Sequence, residues 1–408
     1  MGFHNFDSPY DWSRVARFRR IAQSHDGGAI DLSVGSPVDP VPQSIRVALS
    51  QASDDADAHG YPQTIGSSEL RNAIHDWFLH QRGVDLTMLH ASVVPSVGSK
   101  EAVALMASLL HLNPGDVVVQ PRISYPTYEI GTQIAGAKVV KVDDVTDVSS
   151  WQNIDRVKAI WVNSPCNPTG DIIDSQRLAA IVAAARAIGA VVLSDECYAF
   201  LDWREANDFS LSEHRTNMGE RPYADVPEAV DMSSAFNSAP CVLNPQVCAG
   251  SARGILSLYS LSKQSNMAGY RTAFVAGDDA LIEDMIRYRK QIGLIIPGPV
   301  QHAMSAALRD IEAVQEQKAR YHARLTALVN ALGQYGYDAR MPQGALYVWV
   351  HALGDDCWDD MGTLAKLGIV ASPGEFYGAP KYLRFSITAS DDAIRTAVAR
   401  LTASSNRH

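Results

Sequence analysis

Lys263 and Arg271 are the two cations of a short polar stretch, Ser260-Leu-Ser-Lys-Gln-Ser-Asn-Met-Ala-Gly-Tyr-Arg271, which follows an apolar run. A buried amine beside a second cation loses its proton near neutral pH, and a neutral lysine can attack an aldehyde to form a covalent imine. Arg271 and the serine hydroxyls are groups that hold a phosphate. Taken alone, the stretch would more often be a solvated turn with surface charges, so its chemistry depends on its neighbours in the fold.

The elements around this stretch alternate between strand and helix patterns. Apolar runs that predict strands cover residues 92–97, 116–120, 138–142, 159–163, 189–194, 254–259 and 272–276. Continuous apolar strands separated by helices indicate a mostly parallel sheet that is covered on both faces, which is the α/β class. Later runs at residues 345–350, 369–371 and 382–387 predict a smaller α+β domain. Ligands of such parallel sheets bind beyond the carboxyl ends of the strands.

Polar groups follow several of the predicted strands. Asn167 comes after the fourth run, Asp195 and Tyr198 after the fifth, and Lys263 after the sixth. A helix pattern begins after Gly98, and the free N–H groups of a helix start can bind an anion. Parallel strands would bring these groups to one edge of the sheet. This set of groups matches what pyridoxal phosphate requires. Its aldehyde needs an amine, its ring nitrogen needs an acid, its ring oxygen needs hydrogen-bond donors, and its phosphate needs an anion site.

Three motifs carry a resemblance to a known family: Ser164-Pro-Cys-Asn-Pro-Thr-Gly170, Asp195-Glu-Cys-Tyr198, and Ser260-Leu-Ser-Lys263 followed by Gly269-Tyr-Arg271. Together they resemble the fold-type I aminotransferases of class I and II, and the match covers almost the whole chain. The resemblance implies a PLP-dependent transferase fold of type I, with a mostly parallel seven-stranded sheet in its large domain. It also implies pyridoxal 5'-phosphate as cofactor, an amino acid donor and a 2-oxo acid acceptor.

Carried over residue by residue, the resemblance implies that Lys263 binds the cofactor covalently, and that Asp195 pairs with its pyridinium nitrogen. Asn167 and Tyr198 would bond the ring oxygen. Tyr125 would stack on the ring, with a half-buried loop tyrosine as the alternative. The implied phosphate cup consists of Gly98, Ser99, the backbone of Lys100, Ser260, Ser262 and Arg271. The catalytic residues of the implied reaction are Lys263, Asp195 and Tyr198.

The resemblance also implies how the substrate is held. Arg384 would fork onto the α-carboxylate, helped by Asn167 and by the backbone at Gly35, because a guanidinium matches a carboxylate better than an ammonium does. Tyr61 resembles the residue that reaches the phosphate of the neighbouring subunit. A homodimer with shared active sites is therefore expected.

Four segments resemble the actinobacterial type of N-succinyldiaminopimelate aminotransferase, an enzyme of lysine and diaminopimelate biosynthesis: Asp31–Pro42, Ser164–Gly170, Ser260–Arg271 and Ser372–Gly378. The expected reaction moves the amino group of N-succinyl-LL-diaminopimelate to 2-oxoglutarate in a ping-pong cycle through pyridoxamine phosphate. An aspartate- or alanine-type aminotransferase and a carbon–sulfur lyase of the same fold remain alternatives. A remote alternative is a PLP-binding regulatory module. The distal carboxylates of this donor need a cation, for which the candidates are Arg19, Arg20, Arg122 and Arg289.

The composition of the chain limits the kinds of binding partner that are expected. The chain has 408 residues, 45 acidic against 35 basic side chains and a formal charge of −10, which disfavours a nucleic-acid surface. No apolar run reaches the roughly 18 residues of a membrane helix and no signal-peptide pattern opens the chain, so a cytoplasmic enzyme is expected. Five cysteines without CxxC spacing argue against a disulfide framework or a zinc site, so no metal is expected.

The expected domain organisation has three parts. Residues 1–45 form an N-terminal arm that joins the small domain, residues 46–295 form the large cofactor-binding domain, and residues 296–408 form the small domain. Residues 202–250 interrupt the alternation with a long, polar, turn-rich connection, which indicates an insertion. Solvated decoration is favoured over a role in lining the site.

Overall fold

The computed structural model describes residues 6, 8–56, 58–204 and 238–405. Twelve strands occur in this part of the chain. They are β1 (Ile30–Asp31), β2 (Ala91–Val97), β3 (Val117–Pro121), β4 (Lys138–Val142), β5 (Val157–Asn163), β6 (Val191–Asp195), β7 (Ile255–Ser260), β8 (Thr272–Asp278), β9 (Tyr347–His351), β10 (Ile369–Val370), β11 (Ser372–Pro373) and β12 (Tyr382–Ser386).

Thirteen α-helices lie in the same described residues. They are α1 (Ala16–Gln23), α2 (Gln43–Ala52), α3 (Ser68–Arg82), α4 (Ser99–Leu109), α5 (Thr127–Ile134), α6 (Ser175–Ala187), α7 (Pro245–Cys248), α8 (Leu261–Gln264), α9 (Asp279–Gln291), α10 (Gly298–Arg309), α11 (Ile311–Tyr335), α12 (Cys357–Lys366) and α13 (Asp391–Ser405). Short 3-10 helices span Trp12–Val15, Val148–Ser150, Ala268–Tyr270 and Gly374–Tyr377.

Helix α3 illustrates how local sequence sets these bounds. The side chain of Ser67 accepts a hydrogen bond from the Leu70 N–H and caps the start of the helix, while Gly83 ends it in the left-handed conformation at φ 63°. Leu70, Ile74 and Trp77 recur at helical spacing and are at most 3% exposed. The helix therefore buries one apolar face against the sheet.

The central sheet has seven strands in the order β2-β8-β7-β6-β5-β3-β4. Strand β8 is antiparallel to both of its neighbours, and the other pairs are parallel. The prediction of a mostly parallel seven-stranded sheet is confirmed. The register pairs Asn163 with Asp195 at the ends of β5 and β6, and Asp195 with Leu258 near the end of β7. The carboxyl ends of these three strands thus lie side by side.

A second, smaller layer is built from both ends of the chain. Strands β11, β12 and β9 form an antiparallel sheet, and β1 pairs with β10 in parallel. The β1–β10 pairing ties the N-terminal segment to the C-terminal part. The domain limits at residues 45 and 295 stay predictions, although α10 packs into the same core as the large sheet through Ala303 and Leu308, which are at most 3% exposed.

The expected insertion at residues 202–250 lies partly outside the described residues, because residues 205–237 are not among them. The described residues at its two ends are packed in the protein interior: Trp203 is 6% exposed, and Val242 and Leu243 are fully buried. Within the described ranges, no helix combines the length and the apolar character needed to cross a membrane.

Candidate active site

A cavity of about 230 Å³ opens where the carboxyl ends of the large sheet meet the smaller layer. Twelve of the predicted site residues line it: Gly35, Ser99, Lys100, Tyr125, Asn167, Asp195, Tyr198, Ser260, Ser262, Lys263, Arg271 and Arg384. Gly98 directly precedes Ser99. Residues that the sequence-based prediction missed also line this cavity, namely Tyr10, Trp12, Val34, Asn163, Cys197, Ala268, Tyr347 and Tyr377.

Lys263 occupies the short helix α8 directly after β7. The Ser260 side chain caps this helix by accepting a hydrogen bond from the Ser262 N–H. The Lys263 Nζ donates a hydrogen bond to the carbonyl oxygen of Gly35. Removal from water lowers the pKa of Lys263 most, the Arg384 and Arg271 guanidinium groups add to the lowering, and together these effects bring the pKa to about 8. The neutral fraction of this amine near physiological pH is therefore far larger than that of an ordinary lysine.

Asp195 ends strand β6 and is 6% exposed. Its Oδ2 accepts a hydrogen bond of 2.7 Å from the Tyr128 hydroxyl, and its Oδ1 accepts one of 3.2 Å from the Cys197 N–H. Burial raises the pKa of Asp195, whereas these donors oppose the rise. A buried carboxylate is costly unless a cation faces it, so this position suits the partner of a protonated ring nitrogen.

Tyr128 was missed as a site residue. Its ring is fully buried and stacks on Trp161, with the centroids 4.5 Å apart. Tyrosine hydroxyls that are buried usually find a hydrogen-bond partner, and here the partner is Asp195. The sequence signal was available in Ser124-Tyr-Pro-Thr-Tyr128, where only the first tyrosine was assigned a role.

Replacing Tyr128 with phenylalanine should lower kcat by about tenfold, because a hydrogen bond to a charged group contributes about 1.5 kcal/mol. The phenylalanine ring keeps the stacking on Trp161, so thermal stability should change little. Steady-state kinetics and a thermal transition measure both quantities. Tyr335→Phe is the matched control, since its ring stacks on Tyr337 away from the cavity. An unchanged kcat would remove Tyr128 from the support of Asp195.

Arg384 lies in β12, the middle strand of the smaller sheet. Its Nη1 donates to Asn167 Oδ1 at 2.7 Å and its Nη2 to the Ser33 carbonyl at 2.8 Å. The guanidinium carbon lies 3.9 Å from the Tyr347 ring centroid and 4.6 Å from that of Tyr377. The side chain is 4% exposed, and its Nε has no partner among the described residues.

The contact with Arg384 also orients Asn167. Its oxygen is occupied by the guanidinium, while its backbone N–H donates to Asn163 Oδ1 at 2.7 Å. The amide nitrogen of Asn167 is thereby left as the group that can donate into the cavity.

Tyr198 and Tyr347 face each other with their hydroxyls 2.9 Å apart. Burial raises the pKa of Tyr198, and the neighbouring Tyr347 raises it further. A Cβ atom at Gly35 would lie 2.3 Å from the Tyr347 hydroxyl oxygen. Glycine is therefore required at position 35 for Tyr347 to approach, which explains why the backbone there borders the site.

The predicted phosphate cup is assembled at the start of α4. Gly98 has φ 78°, and a Cβ at this position would lie 2.2 Å from an Arg271 nitrogen, so only glycine lets the guanidinium reach the helix start. The hydroxyls of Ser260 and Ser262 are 2.8 Å apart on the same wall. Hydroxyls, a guanidinium and free N–H groups form a donor set that fits a phosphate.

The cavity as a whole fits pyridoxal phosphate. One end holds the phosphate donors, and the same cavity contains the Lys263 amine, the Asp195 carboxylate and the Asn167 amide. The orphaned Arg384 Nε adds a buried donor that still lacks a partner among the described residues. These groups meet the separate needs of the aldehyde, the ring nitrogen, the ring oxygen and the phosphate.

The four arginines considered for distal carboxylates do not line the cavity. Arg19 pairs with Asp31 at 3.1 Å, Arg122 with Asp143 at 2.6 Å and Arg289 with Glu101 at 2.8 Å. Arg20 is exposed on α1. Tyr61 does not line the cavity of its own chain either, and its side chain is fully exposed.

Comparison with known proteins agrees with this geometry. The family model described as "Aminotransferase class I and II" matches residues 28–401. The chain is 37% identical over 395 residues to the 4-dedimethylamino-4-oxo-anhydrotetracycline transaminase OxyQ of Streptomyces rimosus, covering 96% of this chain and 98% of that protein. It is 36% identical over 395 residues to the probable aminotransferase Rv1178 of Mycobacterium tuberculosis, covering 96% of this chain and 85% of that protein.

Among solved structures, the probable N-succinyldiaminopimelate aminotransferase from Thermus thermophilus is similar, with a TM-score of 0.77 and 23% identity. The similarity covers 96% of this chain and 99% of that chain. At this identity the similarity shows the fold and does not extend to the substrate.

Proposed function

The chain belongs to the aminotransferase class I and II family, whose cofactor is pyridoxal phosphate, and we propose that it transfers the amino group of N-succinyl-LL-diaminopimelate to 2-oxoglutarate. The observation that supports transamination most strongly is the presence of Lys263, Asp195 and Arg384 around one cavity. An amine with a lowered pKa, a buried carboxylate and a buried guanidinium are the three groups that the reaction needs.

The residues that would hold the cofactor follow from the donor sets. Ser99, Ser260 and Arg271, with the backbone of Lys100, would hold the phosphate, while Tyr125 would lie against the ring. The remaining polar contacts would come from Asn167, Asp195 and Tyr198. Pyridoxal phosphate, when bound, supplies an aldehyde that reacts with amines and a protonated ring that withdraws electrons from the attached carbon.

Lys263 would have two roles in turn. Its Nζ would hold the cofactor covalently, and the same amine, when free, would accept the proton from the donor's α-carbon and hold it for return. The lowered pKa supports the base role, because a base near the working pH combines a neutral fraction with proton affinity. The Asp195 carboxylate would hold a proton on the ring nitrogen throughout.

Arg384 would orient the donor through its α-carboxylate. A bidentate guanidinium fixes the direction of the carboxylate as well as its position, and so aims the α-proton at the Lys263 amine. The aromatic rings of Tyr347 and Tyr377 both lie against the guanidinium and help to hold it in place.

Lys100 supports a donor with a distal carboxylate. It lines the cavity, it is exposed, and its Nζ lies 5.6 Å from the Tyr10 ring centroid. Among the described residues it forms no ion pair, whereas Lys263, Arg271 and Arg384 each donate to an oxygen of the chain. Lys100 is thus the lining cation most readily offered to a second acidic group.

A donor screen with 2-oxoglutarate tests the substrate. We expect turnover of N-succinyl-LL-diaminopimelate, and we expect Lys100→Met to lower its kcat/KM by about tenfold, a typical loss for one charged contact. L-Alanine, which has no distal carboxylate, should be unaffected, and Lys366→Met on the exposed surface is the matched control. Robust turnover of aspartate without turnover of the succinylated donor would exclude this substrate, and release of a thiol would indicate a lyase instead.

The similarity to OxyQ supports a second candidate. That relative is named as a transaminase of an oxo-anhydrotetracycline, and the cavity here is lined by the aromatic side chains Tyr10, Trp12, Tyr347 and Tyr377. Amination of a large aromatic ketone is therefore the alternative reaction. The same screen should include such ketones as amino-group acceptors. Turnover of an aromatic polycyclic ketone with none of the succinylated donor would favour it.

We also propose a homodimer with shared sites, in which Tyr61 reaches the phosphate cup of the partner subunit. The fully exposed side chain of Tyr61 supports this arrangement, because the ring is accessible to a partner subunit and tyrosine is enriched at protein interfaces. Sedimentation of the cofactor-loaded enzyme should give the mass of two chains, and Tyr61→Ala should weaken cofactor binding. A monomeric active enzyme would contradict the proposal.

A further inference from the structure

Residues 8–15, here termed the strap, contribute two aromatic side chains to a cavity whose other lining residues lie between positions 34 and 384. Tyr10 and Trp12 line the same cavity as Lys263 and Arg384. Neither is needed to hold the cofactor or the α-carboxylate in the proposed function. Both rings are therefore available to contact the rest of the donor.

The strap is held in one conformation by its own sequence. Asp11 Oδ1 accepts a hydrogen bond of 2.9 Å from the Ser13 N–H and caps the 3-10 helix Trp12–Val15. Val15 at the end of this helix is fully buried in the hydrophobic core of the smaller layer. Trp12 therefore lies between a capped start and a buried anchor, which fixes the direction of its indole.

An aromatic cluster docks the strap on the 3-10 turn Gly374–Tyr377. The ring centroid of Phe376 lies 5.5 Å from that of Tyr10 and 5.2 Å from that of Trp12, both in edge contacts. Phe376 is 2% exposed. Tyr377, the next residue, lies against the Arg384 guanidinium. The strap and the α-carboxylate site are thus supported by neighbouring residues of one turn.

An ion pair also joins the strap to the turn Gly374–Tyr377. Arg14 Nη1 lies 2.5 Å from Glu375 Oε1, while Glu375 Oε2 accepts a hydrogen bond of 2.6 Å from the Trp358 indole. The Arg14 guanidinium also lies 4.2 Å above the Trp358 ring. The side chains of Arg14 and Glu375 are 42% and 27% exposed, so the ion pair contributes only modestly to stability. Its main effect is to fix the position of the strap relative to the turn.

We propose that Tyr10 and Trp12 form the wall of the donor side-chain subsite and determine which donors are accepted, with Arg14 as the positioning residue for that wall. The proposal rests on the transamination proposed above. Aromatic faces suit a long aliphatic chain or a ring, and the cation Lys100, which also lines the cavity, lies 5.6 Å from the ring of Tyr10. The substrate class is therefore an amino acid with an extended, acid-ended or aromatic side chain.

The first arm of the test uses the cofactor-loaded enzyme and two long donors, N-succinyl-LL-diaminopimelate and L-phenylalanine, beside the short donor L-alanine. Trp12→Ala and Tyr10→Ala should each lower kcat/KM for the better long donor by at least about tenfold, as expected for a lost apolar wall. The loss should appear mainly in KM. L-Alanine ends at its methyl group, so its kcat/KM should stay within about twofold of the wild-type value.

The second arm tests the positioning role of Arg14. Arg14→Met should lower the ratio of long-donor to alanine kcat/KM by about three- to fivefold, because a partly exposed ion pair contributes up to about 1 kcal/mol. Arg14→Lys keeps the charge and should restore most of the ratio. Arg20→Met removes the same charge from the exposed face of α1 and should leave the ratio unchanged.

The outcomes are distinct. A ratio that falls in Trp12→Ala and Arg14→Met, and recovers in Arg14→Lys, supports the proposal. Equal losses for long donors and alanine, with a lowered thermal transition, would show that the strap only stabilises the fold and would overturn it. Wild-type enzyme that converts no amino donor would overturn the transamination itself, which the wild-type measurements show before any variant is compared.

Discussion

Alanine in place of Lys263 is expected to lower kcat by more than about 10⁴-fold, since in the proposed function this one side chain would supply both the covalent attachment and the proton transfer. The Nζ of Lys263 faces the cavity between the sheet edge and Gly35, and no other lysine except Lys100 lines that cavity in the described part of the chain. Lys100 lies at the exposed wall of the cavity. No second buried amine therefore lines the cavity in the described residues.

The same variant should lose the pH-dependent absorbance of the lysine-bound cofactor. Burial lowers the pKa of Lys263 to about 8, so in the apoprotein its neutral fraction rises as the pH increases through 8, whereas an ordinary lysine becomes neutral only near 10.4. The rate at which apoprotein captures pyridoxal phosphate should rise over that same interval. Single-turnover kinetics and absorbance titration measure the two effects.

Lys366→Ala is the matched control, because this lysine is exposed on α12 and does not line the cavity. It should retain both the absorbance and the turnover. A Lys263→Ala enzyme that still turned over amino donors with the lysine-type absorbance would show that another amine forms the covalent bond.

Much of this site could be predicted because its key residues directly follow apolar strands. Asp195 is the last residue of β6, and Lys263 lies three residues beyond the end of β7. When parallel strands are adjacent, their carboxyl ends lie at the same edge of the sheet, and this does not depend on which side chains the strands carry. The placement of these residues therefore required only strand order, which the β-rich runs and the family resemblance indicated.

The residues that were missed reach the cavity through packing between distant segments. Tyr347 lies in β9 and Tyr10 in the strap, and neither follows a strand of the large sheet. Their direction depends on how the smaller layer packs on the larger one, which sequence periodicity does not encode. Tyr128 differs, because a buried phenol on a helix facing the sheet needs a polar partner, and that requirement could have indicated Asp195.

The distal subsite shows a further limit of sequence reasoning. Four arginines were candidates because of their charge, yet three of them are paired with carboxylates, and none lines the cavity. The more suitable cation, Lys100, had been assigned only a backbone role. An ion pair is a property of the folded chain, so a sequence lists the charges without showing which of them are neutralised.

Arg384 should give the second large effect. We expect Arg384→Met to raise the KM for amino acid donors by roughly 30- to 1000-fold, corresponding to about 2–4 kcal/mol for a lost bidentate contact to a charged group. The loss is large because Arg384 is 4% exposed and its guanidinium lies against the rings of Tyr347 and Tyr377, so that little water can take its place. Steady-state kinetics with L-alanine measure it.

Two comparisons separate binding of the α-carboxylate from a general loss of structure. Arg384→Lys keeps the charge without the fork and should give an intermediate KM, and Arg395→Met changes an exposed arginine on α13 as the matched control. Ethylamine lacks the carboxylate, so the preference of the wild-type enzyme for L-alanine over ethylamine should shrink in Arg384→Met. Preservation of that preference would mean that another residue holds the carboxylate, and that Arg384 instead serves to orient the Asn167 amide.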